Sequence, residues 1–209
     1  CNGNKDEKAA ATQDKSGNLS IGWATADITP DNPVIISGQF YARVSEGVMD
    51  PVTATVLALE SGEGESSEKA LLISCDLCVI SDGTNDGTDN NLRETVRKKL
   101  SGAIPGLVPE QIILNATHTH AAPYCSTVKS AEERYGVELD VMSPFECLQY
   151  VSERIAEAGE KAWNSRSPGG ISFGLGHAVT SHNRLQVDMS GRSVMLKNTN
   201  REEFSHIEG

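Results

Sequence analysis

Two histidines at alternate positions, His118 and His120, stand in the segment LNATHTHAAP, Leu114 to Pro123. Imidazole is the commonest side-chain ligand for transition metals and the group best suited to moving protons near neutral pH. In an extended chain, residues two apart face the same way at a separation of about 6.5–7 Å, so the pair can flank a common atom. The apolar run IILNAT leads into the pair, and Ala121 and Ala122 follow it, small residues that leave room for a ligand. These features predict a metal or proton-transfer site at a strand end. The alternative is two imidazoles satisfied by backbone carbonyls. A catalytic zinc site needs about three protein ligands and one open position. The other histidines are His177, His182 and His206.

Known histidine-pair patterns divide on what surrounds the pair. A metallo-β-lactamase pattern has a carboxylate two residues after the second histidine, where this chain has Ala122. An amidohydrolase barrel carries the pair on its first strand, whereas several strand-like segments precede it here. Cysteine offers less. Cys75 and Cys78 in CDLC have a spacing used by redox and zinc motifs, but ALLISCDLCVI reads as one buried strand, in which positions three apart face opposite ways. They are expected to be small core residues. With Cys125 and Cys147 they allow three disulfide pairings, between which the sequence does not choose. Asp76 is either a partner behind the site or a turn former. Gln39 and Phe40 are candidates to line a pocket. The glycosylation-like NAT at Asn115 is incidental within a buried strand.

The elements that must position these groups follow from periodicity. LSIGWATADITP reads as a strand closed by Pro30, and residues 31–51 form a long connection containing Pro33, Gly38 and Gly47. VTATVLALE and ALLISCDLCVI, joined by the turn-rich SGEGESSEK, read as an antiparallel hairpin. NLRETVRKKL places Leu92, Val96 and Leu100 on one helical face, and IILNAT after it completes a crossover unit. From Pro144 to Asn164, apolar residues at three-and-four spacing define a long helix, with Ser143 as N-cap and Glu146 completing a capping box. GGISFGLGHAV reads as a further strand and RLQVDMSGRSVML as a hairpin. Together these predict a mixed α/β (α+β) fold, a mixed and largely antiparallel sheet with helices packed on it. The terminal SHIEG resembles neither a helix end nor a solvated tail, which points to part of a larger domain.

Composition narrows the setting. A formal charge of −11 with no clustering of Lys and Arg beside aromatics argues against nucleic acid as a partner. No apolar run approaches the roughly 20 residues that span a bilayer. Residues 1–18 contain no large apolar side chain, so they are expected to be a flexible tether. A leading Cys1 followed by such a tether resembles a processed bacterial lipoprotein, with Cys1 carrying the lipid. That reading implies membrane attachment through the lipid alone and a cell-envelope location, periplasmic or surface-exposed.

ADITP, GVMDPVTATVLALE, NATHTHAAP and FGLGHAVTSHNRLQVD occur in the order found in neutral ceramidases. From Ile21 to about Met195 the chain resembles the N-terminal part of that family's catalytic domain, which would make residues 19–209 a ceramidase-like portion. The resemblance implies a zinc-dependent hydrolase of a linear amide of the N-acylsphingosine type, acting on a small-molecule or lipid-like substrate. It implies His118 as a Zn²⁺ ligand, His120 as a catalytic residue in the substrate pocket, and Arg184 as a catalytic contact to the substrate. His182 is a further candidate for that pocket. Where the family continues Ser-Gly-Pro-Gly-Gly, this chain has Ala121, Ala122, Pro123, Tyr124 and Cys125. Where the family has Asn-Arg-Ser-Pro, this chain runs from Asn183 and Arg184 to Leu185 and Gln186. Two alternatives accompany this expectation: an envelope lipoprotein that keeps the fold as a ligand-binding module, and a zinc hydrolase of another ester or amide. Oligomeric state is not legible.

Overall fold

Alternation of inward and outward residues builds a sheet with one packed face. The computed structural model describes residues 18–62, 64–80, 91–178, 185–187 and 190–195. The chain divides into two parts at Gly170 and Ile171, each described by itself. In the first, β1 (Leu19–Asp27) pairs antiparallel with β2 (Thr53–Ser61), and β2 pairs antiparallel with β3 (Glu68–Cys75). β4 (Ile112–Ala116) runs parallel to β3, and the short β5 (Ser167–Pro168) closes the other edge beside β1. The strand order is β4-β3-β2-β1-β5. The sheet is therefore mixed and mostly antiparallel, as the sequence predicts.

One face of this sheet forms the core. Ala24, Val56, Ala58, Leu71, Ile73, Ile112 and Leu114 point into it and are buried. The opposite face carries a register-aligned row, Trp23, Leu57, Leu72 and Ile113. In that row Trp23 is 63%, Leu72 38% and Ile113 49% exposed.

Parallel pairing of β3 and β4 requires a crossover, and α1 (Leu92–Ala103) supplies it. Asn91 caps α1 by accepting a hydrogen bond from the Glu94 amide at 3.0 Å, and Leu92, Val96 and Leu100 form its buried stripe. A short helix, α2 (Ala131–Tyr135), was not anticipated. It is bracketed by a Ser130 cap and by Gly136 in the left-handed conformation.

The long helix α3 (Pro144–Asn164) begins at Ser143 with the predicted capping box, in which the Glu146 carboxylate accepts from the Ser143 amide at 2.9 Å. Leu148, Val151, Ile155, Ala158 and Ala162 lay α3 across β1 and β2. Among the described residues no helix is long and apolar enough to cross a membrane.

The hairpin and tether readings meet different outcomes. In the second part, β6 (Leu185–Val187) and β7 (Ser193–Met195) form the expected antiparallel hairpin. The segment GGISFGLGHAV is not a strand through its last described residue, Ala178. Its alternating Ile171, Phe173 and Leu175 are all exposed, and its backbone has no ladder partner among the described residues. The residues 1–17 of the expected tether, Cys1 included, lie outside the described residues.

Candidate metal centre and its cleft

The site is assembled where β3 and β4 stop. β3 closes at Cys75, earlier than the predicted strand, and the chain turns at once, with the Asp76 amide donating to Thr53 O at 2.8 Å and Leu77 N to Cys75 O at 2.8 Å. Cys78 therefore leaves the sheet instead of continuing its alternation. On the neighbouring strand, Thr117 N donates to Cys75 O at 2.9 Å and His118 N to Leu77 O at 3.0 Å, which carries the parallel contact past Ala116. His118 then adopts φ 63°, a left-handed conformation uncommon for a residue with a side chain.

That reversal, rather than strand alternation, sets the direction of the imidazole. His118 Nδ1 lies 2.7 Å from the Cys78 carbonyl oxygen. A carbonyl only accepts, so Nδ1 carries the proton and Nε2 presents its lone pair. This backbone anchor fixes ring orientation and tautomer in the manner of metal-ligating histidines. His118 Nε2 faces His120 Nε2 at 3.4 Å, with the rings edge to face at 82° and their centroids 4.9 Å apart. The structure brings the two imidazoles together.

His120 is held from behind by the long connection between β1 and β2. Gly38 has φ +95°, and a Cβ there would meet the His120 ring, 2.4 Å from Cγ. Arg43 Nη2 donates to the backbone oxygens of His120 at 2.5 Å and Ser37 at 2.8 Å, tying the connection to the histidine segment. Backbone pairing of Ser37 N with Ala122 O at 2.9 Å and of Tyr124 N with Ile35 O at 2.8 Å completes the seam.

Cys78 is the third potential donor. Its thiol lies 3.8 Å from His118 Nδ1, and one donor atom each from Cys78, His118 and His120 lies within 4.8 Å of the others. Cys78 is buried, whereas both histidines are exposed, which leaves their side of the group open to solvent. These donors suit zinc: with Zn–N bonds of about 2.0–2.1 Å, a tetrahedral site has an N···N edge of about 3.3 Å, close to the observed 3.4 Å. Cys75 stays outside this chemistry. Burial first, then the nearby Asp76 carboxylate, pushes its thiol up to about 12, so it remains a neutral core group.

Asp76 joins three strand ends. Its Oδ2 accepts from Thr53 N at 3.0 Å and Thr53 Oγ1 at 2.9 Å, while Oδ1 accepts from Thr117 Oγ1 at 3.3 Å. The same residue borders a cleft of about 450 Å³ whose walls include Val34, Ile36, Val48, Met49 and Ala122. Thr119 and Ala121, which flank His120 in the chain, line this largely apolar cleft, but the histidine rings themselves do not.

The sequence-based candidates thus divide. His118 and His120 meet. His177 lies in the second part of the chain and is exposed. Arg184, His182, His206 and the lipid-attachment candidate Cys1 lie outside the described residues. Sequence reasoning missed Gly38 and Arg43; Cys78 is buried as expected, but its approach to His118 was not anticipated. That approach depends on β3 ending at Cys75, before strand alternation reaches Cys78. Gly38 was visible only as a glycine in a long connection.

No protein-family profile matches the chain, and no curated protein matches it by sequence. Among solved structures, the neutral ceramidase from Pseudomonas aeruginosa is similar with a TM-score of 0.56 and 20% identity, over 73% of this chain and 22% of that one. A structure described as ceramidase complexed with C2 is similar with a TM-score of 0.55 and 20% identity, over the same shares. The chain has a ceramidase-like fold and spans about a fifth of the length of those proteins, 22%.

Proposed function

We propose that this chain contributes to a zinc-dependent hydrolase of the ceramidase type, cleaving a linear amide in a lipid-like substrate. The observation that carries this reading is His118, whose Nδ1 is anchored 2.7 Å from the Cys78 carbonyl oxygen so that Nε2 is left to bind, with His120 Nε2 beside it at 3.4 Å. His118 is the metal ligand, through Nε2. A zinc ion held there supplies Lewis acidity for a carbonyl and lowers the pKa of water toward neutrality. His120, exposed and next to that position, donates a hydrogen bond to the substrate's carbonyl oxygen or takes up a proton beside it. Asp76 holds Thr117 and thereby the strand end that carries His118. The apolar cleft bordered by Val34, Ile36 and Met49 offers a surface for an acyl chain. Arg184 is assigned to the substrate oxygen on the sequence resemblance alone.

Metal analysis of the full-length protein and its variants tests this reading. The His118→Ala variant should lose bound zinc and hydrolysis together, while His120→Ala should keep the metal and lose hydrolysis by about 10²-fold or more. Full-length protein without zinc after purification free of chelators overturns the proposal. A second reading, in which Cys78, His118 and His120 are all ligands, is favoured by the mutual approach of their donor atoms within 4.8 Å. It predicts instead that His120→Ala and Cys78→Ser also release the metal.

A further inference from the structure

The strongest feature outside that centre is a pair of buried sulfurs. Cys125 and Cys147 are both buried, and their Sγ atoms lie 2.9 Å apart. Nonbonded heavy atoms settle at about 3.5–4.0 Å or more, and sulfur is larger than carbon, so this is closer than two thiols pack by contact alone. It is still longer than the roughly 2.05 Å of an S–S bond, and it is reached with the flanking backbone already in place. Ser126 N donates to Pro144 O at 3.2 Å next to one cysteine, and Cys147 N to Ser143 O at 2.9 Å at the other, so both are anchored at the first turn of α3.

We propose that Cys125 and Cys147 form a structural disulfide that fastens the segment after the histidine pair to the start of α3. Of the three pairings open to the four cysteines of the folded part, the structure brings this one together. Cys75 lies at the end of β3 and Cys78 against His118. Cys125 follows the stretch whose Ala122 and Tyr124 pair with the connection that backs His120, so the bond would limit how far that stretch can drift from α3. The oxidant is a disulfide donor, either a disulfide-exchange protein or a small-molecule disulfide. One thiolate attacks the donor's S–S bond and forms a mixed disulfide, expelling one donor thiol. The second thiolate attacks the protein sulfur of that mixed disulfide and expels the other donor thiol. Two protein thiols lose two protons and two electrons, and one donor disulfide is reduced to two thiols. Because both sulfurs are buried in the folded chain, exchange takes place during folding, before α3 closes over Cys125.

The full chain is unfolded, refolded in a glutathione disulfide/thiol mixture, quenched by alkylation under denaturing conditions and mapped as non-reduced peptides. The expected result is one cross-linked peptide pair joining Cys125 to Cys147, with Cys75 and Cys78 alkylated. Reduction should then lower the melting temperature by roughly 5–10 °C. The Cys75→Ser and Cys78→Ser variants should keep the cross-link, which leaves the test intact if Cys125→Ser or Cys147→Ser fails to fold. Complete alkylation of Cys125 and Cys147 after refolding overturns the proposal, as does a cross-link from either of them to Cys75, Cys78 or Cys1.

Discussion

The Cα of Gly38 lies so close beneath the His120 imidazole that a Cβ there would stand 2.4 Å from the ring Cγ and 2.7 Å from Nδ1. No side chain fits, and the backbone at φ +95° independently disfavours one. Gly38→Ala should push the His120 ring away from His118 while the sheet and helices, remote from the contact, stay intact. The expected outcome is a loss of roughly 10–100-fold in hydrolysis or in metal affinity, the range typical of groups that orient a metal site. Far-UV circular dichroism should be unchanged. Activity and affinity within twofold of the unaltered protein would show that the glycine does not position His120.

Asp76 acts through its neighbours. Asp76→Ala removes the acceptor for both the Thr53 amide and its hydroxyl, and leaves half-buried donors unpaired. The expected destabilisation is about 1–3 kcal/mol by denaturant unfolding. Zinc affinity should fall as well, because Thr117 loses its anchor one residue before His118. Asp76→Asn keeps an acceptor oxygen and should recover most of the stability. Equal loss in both variants would mean that the carboxylate charge, rather than its hydrogen bonds, matters.

How much of this was readable beforehand depends on the range of the interaction. The stripe of Leu92, Val96 and Leu100 and the capping box of Ser143 and Glu146 are written within one or two helical turns, and both elements are present. The β2–β3 hairpin and the parallel β3–β4 step follow from short turns and from an intervening helix. Thr117 and His118 are different: their backbone bonds go to Cys75 and Leu77, distant in sequence, and these bonds hold the segment where the left-handed turn occurs. Alternation placed His118 and His120 on one side for the wrong reason. Cys78 and Gly38 reach the site through the same long-range closure. The apolar alternation of Ile171, Phe173 and Leu175 predicts a strand only where another strand lies beside it.

Gly159 tests the packing of α1 against α3. In an exposed helix interior, alanine is favoured over glycine by about 0.5–1 kcal/mol. Here a Cβ would lie 2.5 Å from Leu100 Cδ2 and 3.1 Å from Cδ1, and Leu100 is fully buried. Overpacking should therefore win, and Gly159→Ala should cost about 1–3 kcal/mol. Leu100→Ala alone should cost about 2–5 kcal/mol. In the double variant the new methyl occupies part of the vacated space, so the combined loss should fall short of the sum by about 1 kcal/mol or more. Simple additivity would show that the two helices do not press on each other at this point.

The end of α3 is tied to the sheet by a pair that titrates. Arg166 lies over the Trp163 ring, 3.3 Å from its centroid, and its Nη2 donates to Glu60 Oε2 at 2.9 Å. Burial tends to raise the Glu60 carboxyl, but the hydrogen bonds from the Ser67 hydroxyl and from Arg166 outweigh it, and the group is held below its ordinary value of 4.5. A carboxyl depressed in the folded state adds stability that is complete above its unfolded value and disappears as pH falls through the folded one. Both partners remain partly exposed, so solvent screening limits the pair to about 1 kcal/mol or less. Glu60→Gln should therefore be less stable than the unaltered protein at pH 7. The gap should narrow as pH falls below about 4.5 and close once Glu60 is protonated in the folded state. Urea unfolding at a series of pH values measures this directly, and a gap independent of pH would assign the loss to packing against Arg166 rather than to charge.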